Sequence, residues 1–157
     1  MANVPRAALL AAAKRAKITE AAADLLRLVE KKYLSKNLGH NLEVAGRRGM
    51  KNAAGKLTDD AAHLVPKASN YVSARRARAI LEKYKIHLDE PVNGSWLPHG
   101  RDASKYPNPF SKSPHQATHS RAYYDALWGL LRRCKNEDQV VAVLSYVRAQ
   151  LDKGMWP

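Results

Sequence analysis

The chain has 157 residues, 45% hydrophobic and 26% charged, which is one ordinary domain able to bury a core and not a disordered segment. Lysine and arginine number 27 against 14 acidic residues, a formal charge of +13, so a polyanionic partner is implied: nucleic acid, an acidic membrane surface or an acidic protein. No apolar run approaches the ~20 residues of a spanning helix, which argues against membrane insertion. The single cysteine, Cys134, excludes an intrachain disulfide and a cysteine-built zinc site. Any metal must therefore be held by His, Asp or Glu.

The first third of the chain reads as helix. Ala7 to Lys17 is alanine-rich and helical by propensity. Thr19 is placed as an N-cap, and Ala22, Leu25, Leu26, Val29 and Tyr33 recur at the spacing of one buried helical face. Gly39 and the G-R-R-G segment from Gly46 to Gly49 interrupt that pattern. From there to Asp60 a polar loop is expected, with one short helix around Asn41 to Ala45.

Residues 61–66, A-A-H-L-V-P, form a short apolar run closed by proline, which predicts an edge strand. A helix follows over Asn70 to Tyr84, with Ala77, Ile80, Leu81 and Tyr84 as its buried stripe. Arg75, Arg76, Arg78 and Lys83 lie largely off that stripe, and a solvated face accounts for most of them. An Asn93-Gly94 turn then feeds a Ser95-Trp96-Leu97 strand, which pairs with the first strand into a two-stranded ribbon. His99 to Ser113 is proline-rich loop.

Ser113 can cap a helix with Pro114 as its first residue and Gln116 closing a capping box. Such a helix stacks His115 and His119 one turn apart on one face, a ready pair of ligands for a divalent ion. The apolar positions Tyr123, Leu127, Leu130 and Leu131 carry it to about Cys134. A last helix starts at Asn136, with Gln139 completing a capping box. Val140, Val143, Leu144, Val147 and Leu151 form its buried face, and Gly154 ends it. The expected fold class is α+β: a mostly helical domain with a small two-stranded ribbon.

A histidine on a strand, an asparagine before a second strand and H-x-x-x-H on the following helix is the element order of the ββα-metal nucleases. The text resembles one branch of them, the AHH family of HNH/endonuclease VII toxin nucleases. The resemblance runs from about Asn41 to about Leu131 and covers H-L-V-P-K-A, A-R-A-I-L-E, V-N-G-S-W-L-P and H-x-x-x-H-S-R-A-Y-Y. It implies a nuclease core over 41–134, flanked by an N-terminal helical segment (1–40) and a C-terminal helix (135–157), all packed as one domain.

The family's strand carries Ala-His-His followed by two aliphatic residues and proline. Counting back from Pro66, the second histidine is His63, the first falls on Ala62 and the leading alanine on Ala61. The resemblance assigns His63 as general base, Asn93 as the residue holding the histidine-bearing strand and loop, and His115 and His119 as metal ligands. The third ligand is expected at position 62, where this chain has alanine. Either that alanine is a substitution made to silence a toxic enzyme, or the chain is a natural relative with two histidine ligands. An otherwise intact motif set favours the first.

The resemblance implies a divalent zinc, magnesium or manganese ion and an HNH-type endonuclease acting on DNA. The chain would be the toxin module of a protein that a bacterial secretion system delivers into a target cell's cytoplasm, countered by an acidic immunity protein. Arg101, Lys105, Lys112 and Arg121 flank the site in sequence and, with Arg75 and Arg76, are the expected phosphate contacts. The other readings are a catalytically silent nucleic-acid-binding module and an RNase on the same fold. His99 reads as a solvated loop histidine, and His40 and His87 have no assignment.

Overall fold

The computed structural model describes residues 34–100 and 113–156. The expected helices over 7–17 and 19–33, and Arg101, Lys105 and Lys112, lie outside the described residues. The described elements are, in order, α1 (Leu38–Val44), β1 (Asp59–His63), α2 (Val72–Lys83), a 3-10 turn (Pro91–Asn93), β2 (Gly94–Pro98), a second 3-10 turn (His115–His119), α3 (Arg121–Leu131) and α4 (Glu137–Lys153). This is the expected α+β architecture. Among the described residues no helix is long and apolar enough to cross a membrane.

β1 and β2 pair antiparallel, with Ala62 opposite Ser95 and His63 opposite Gly94. The first strand starts two residues earlier than expected and ends at His63. Beyond it Asn93 replaces the ladder: Leu64 donates its N–H to the Asn93 carbonyl at 2.8 Å, and Val65 donates to Asn93 Oδ1 at 2.8 Å. The expected loop before Asp60 is likewise shorter, since Lys51 bridges Leu57 and Asp59 already belongs to the strand.

Gly39 does not break the first helix but lies within it, behind the Asn37 side chain that accepts the His40 N–H. A Cβ there would stand 3.3 Å from the Trp96 ring and 3.4 Å from Ala61 Cβ. The missing side chain lets α1 lie directly on the ribbon.

The core forms where α2, α3 and α4 bury their stripes with the end of β1. It holds Ala62, Leu64, Val65, Ala77, Leu81, Tyr123, Leu127, Leu131, Val140, Leu144, Val147 and Leu151. Ile80, Tyr84, Leu130 and Val143, predicted in the same stripes, are half-buried against it. Tyr123 is fully buried and donates its hydroxyl to the Leu64 carbonyl at 2.9 Å. Burial, with Tyr124 alongside, pushes its phenol far above the usual range.

α4 begins as expected, with Asn136 Oδ1 accepting the Gln139 N–H at 2.9 Å. Gln139 reaches back one residue further than a capping box does, to the Lys135 N–H. Gly154 ends the helix in the left-handed region, at φ 70°.

The third helix departs most from expectation. His115–His119 is a 3-10 turn, Ser120 is extended, and α3 starts at Arg121 with Ser120 Oγ accepting the Tyr123 N–H. Thr118 Oγ1 donates to the His115 carbonyl at 2.7 Å, taking the acceptor that a continuing helix would use. Short hydroxyl side chains compete with the backbone in this way. The two histidines therefore precede the helix instead of riding on it.

Candidate active site

The site is assembled from the end of β1, the segment after it and the 3-10 turn. His63, Lys67, His115, His119 and Tyr124 line one cleft of about 500 Å³. An adjoining hollow is lined by Asp60, His99, His115 and His119. His63 is thus brought together with His115 and His119 although it lies 52 and 56 positions before them.

Within the pair, His115 Nε2 and His119 Nε2 stand 3.1 Å apart, with ring centroids at 4.8 Å. The other nitrogen of His115, Nδ1, bonds Asp60 Oδ2 at 2.8 Å, and His99 Nδ1 bonds the same carboxylate at 2.9–3.0 Å. Burial raises the Asp60 carboxyl, but hydrogen bonds from His99 and His115 outweigh it and hold the group below its ordinary value. His119 is lowered by its burial and by His115, which favours the neutral imidazole that ligates a metal.

These residues fit a divalent ion in part. The two Nε2 atoms converge and share a hydrogen bond, and a carboxylate fixes one ring from behind, the usual outer support of a metal-bound histidine. Among the described residues no cluster of three or more His, Cys, Asp or Glu side chains is arranged to hold a metal. The position expected to supply the third ligand is Ala62, fully buried and packed in the core. Strand alternation puts residue 62 on the same side of β1 as Asp60, and Asp60 touches His115. Ala62 itself lines neither of the two hollows; its strand neighbours Ala61 and His63 line the cleft with the histidine pair.

His63, 21% exposed, bonds Asp89 Oδ1 through Nε2 at 2.8 Å, and Lys67 Nζ donates to Asp89 Oδ2 at 2.8 Å. Burial raises the Asp89 carboxyl, but Lys67 and His63 outweigh it, so it too is held below its ordinary value. Asn93 is fully buried. Beyond accepting from Val65, its amide donates to the Val65 carbonyl at 3.2 Å and to the Leu88 carbonyl at 2.8 Å. It ties the chain leaving β1 to the segment entering β2.

A family model described as a nuclease family of the HNH/ENDO VII superfamily with conserved AHH matches residues 45–151, more than half of the chain. The chain belongs to the AHH nuclease family. Searches of curated proteins and of solved structures returned no match. The matched span includes the strand residues Ala61-Ala62-His63.

Of the expected phosphate contacts in this AHH domain, Arg75, Arg76 and Arg121 are exposed. Arg76 lies over the Trp128 ring at 5.8 Å, and Arg121 pairs with Asp125 at 3.5 Å. The residues that sequence reasoning missed are Asp60, Lys67 and Asp89, and it underweighted His99. Asp60 was within reach: two positions before Ala62 on a strand, it shares that residue's face. Lys67 stands inside the H-L-V-P-K-A stretch itself. Asp89 had no local signal.

Proposed function

We propose that this AHH nuclease domain is a metal-dependent DNA endonuclease, the toxin module of a bacterial secreted protein delivered into the cytoplasm of a target cell, and that Ala62 silences the present chain. One observation carries the reading: two imidazole nitrogens converge at 3.1 Å in the cleft that His63 also lines. His115 and His119 would hold a divalent zinc, magnesium or manganese ion, which would supply positive charge to the phosphate. His63 takes the proton of the attacking water, a task suited to an imidazole near neutral pH. Asn93 keeps the His63 segment in register with β2, and Asp60 keeps the His115 ring turned toward the site.

The charge of +13 supports both a polyanionic substrate and an acidic immunity protein covering the basic cleft. Arg75, Arg76 and Arg121, with Arg101, Lys105 and Lys112, are assigned to the phosphate backbone.

The test is plasmid cleavage by this chain beside its Ala62→His variant, with and without chelator. The variant cleaves strongly, the chelator abolishes that cleavage, and the present chain is slow. Full-rate cleavage by the present chain, with no gain on substitution, would overturn the role given to Ala62, and RNA offered in parallel separates an RNase.

One observation favours a second reading, a nucleic-acid-binding module without catalysis: Ala62 has no exposure at all and is part of the apolar core. Duplex binding without cleavage by either protein selects it.

A further inference from the structure

The Asp89 carboxylate is 1% exposed, and both its oxygens are used, Oδ1 on His63 Nε2 and Oδ2 on Lys67 Nζ, each at 2.8 Å. Its backbone is held as well: Asn41 Nδ2 donates to the Asp89 carbonyl at 2.8 Å, and the Asp89 N–H donates to His87 Nδ1 at 3.1 Å. This is a fixed acceptor, 26 positions from His63. No motif of the family resemblance includes it.

An ionised carboxylate only accepts hydrogen bonds. A neutral His63 facing it must therefore carry its proton on Nε2, and Nδ1 keeps the lone pair. Among the described residues no protein group bonds Nδ1, while the ring lines the cleft with His115 and His119. We propose that Asp89 is a positioning residue that locks His63 in the Nε2–H tautomer, so that Nδ1 is the atom that takes the proton from water.

In the step itself a water O–H bond breaks and its proton moves to His63 Nδ1. The oxygen left behind forms a bond to phosphorus as the bond from phosphorus to the departing oxygen breaks, and that oxygen takes a proton from solvent water. The imidazolium so formed faces the Asp89 carboxylate, whose charge offsets it. This last step rests on the nuclease reading of the site; the tautomer does not.

Lys67 makes the test sharp. It is a donor without acceptor capacity, so in Asp89→Asn the amide oxygen must turn to Lys67 and the amide NH2 to His63. Nε2 then has to accept, and the proton moves to Nδ1, where it blocks proton uptake. Adding Lys67→Met frees the amide to rotate and restores the original tautomer.

Imidazole nitrogen shifts from long-range 1H–15N spectra read the tautomer directly. The unmodified chain is expected to show a protonated Nε2 and a bare Nδ1 at His63. Asp89→Asn is expected to show the reverse, and the double variant the original pattern. In the Ala62→His background, Asp89→Asn is expected to lower kcat for plasmid cleavage by about a hundredfold or more, with KM little changed.

A protonated Nδ1 in the unmodified chain, which needs no variant to fold, overturns the proposal. So does an unchanged tautomer in a folded Asp89→Asn chain. If Ala62→His itself fails to cleave, the nuclease reading falls, while the spectra still decide the role of Asp89.

Discussion

His115 and Asp60 meet at 2.8 Å, carboxylate oxygen to Nδ1, although 55 positions separate them. The contact fixes which nitrogen of His115 is left for His119 and for a metal, since a carboxylate acceptor keeps the ring proton on Nδ1. Removing such outer-shell support costs about 10–100-fold in metal affinity. Asp60→Asn in the Ala62→His background is therefore expected to weaken zinc binding by that factor in calorimetry, with the fold intact by circular dichroism. Unchanged affinity would mean that Asp60 serves only the ribbon.

Asn93 offers a test of the scaffold. It satisfies the Val65 N–H and the carbonyls of Val65 and Leu88 in a fully buried setting. Asn93→Ala strands all three, and the cost of unsatisfied buried groups puts the loss at about 3 kcal/mol. Urea denaturation measures it. A loss of only a few tenths, the size expected of a surface turn residue, would contradict the anchoring geometry.

Acid should weaken the fold through Asp89. The folded chain holds this carboxyl below 3.8, its ordinary value, because Lys67 and His63 outweigh burial. A depressed folded pKa stabilises above the unfolded value, and that stability is lost as pH falls through the folded one. Between about pH 5 and pH 2 the chain is expected to lose more thermal stability than Asp89→Asn does. Parallel losses in melting curves would show that Asp89 contributes no such linkage.

Nucleic-acid binding can be apportioned by salt. Each phosphate neutralised on duplex DNA adds about 0.9 to the slope of log affinity against log salt. Reversing Arg75, Arg76 and Arg121 together to glutamate is expected to flatten that slope by about three, measured by fluorescence anisotropy on a DNA duplex. An unchanged slope places the footprint elsewhere on the surface.

Much of the architecture could be read from the chain alone, because it depends on periodicity and short-range chemistry. The stripe Val140, Leu144, Val147, Leu151 and the run Tyr123, Leu127, Leu131 are buried as their spacing requires. The two strands pair, and Asn136 and Gly154 bound the last helix. Local text misled where two nearby groups competed for one role. Ser113 and Ser120 are both good caps, and Thr118 settled the matter by bonding the His115 carbonyl. Gly39 reads as a breaker until Trp96 is seen lying against it.

His63, Asn93, His115 and His119 could be singled out as candidates from the sequence itself, because each sits in a short stretch of recognisable type. Only the tertiary structure decided what stands behind them: Asp60 behind His115, Asp89 and Lys67 behind His63. The contacts involved, Lys67 to Asp89, His63 to Asp89 and Asp60 to His115, span 22 to 55 positions and are made through strand pairing and helix packing. No local pattern constrains a contact made across such a loop, since its energy comes from burial and hydrogen bonding that exist only once the core has closed.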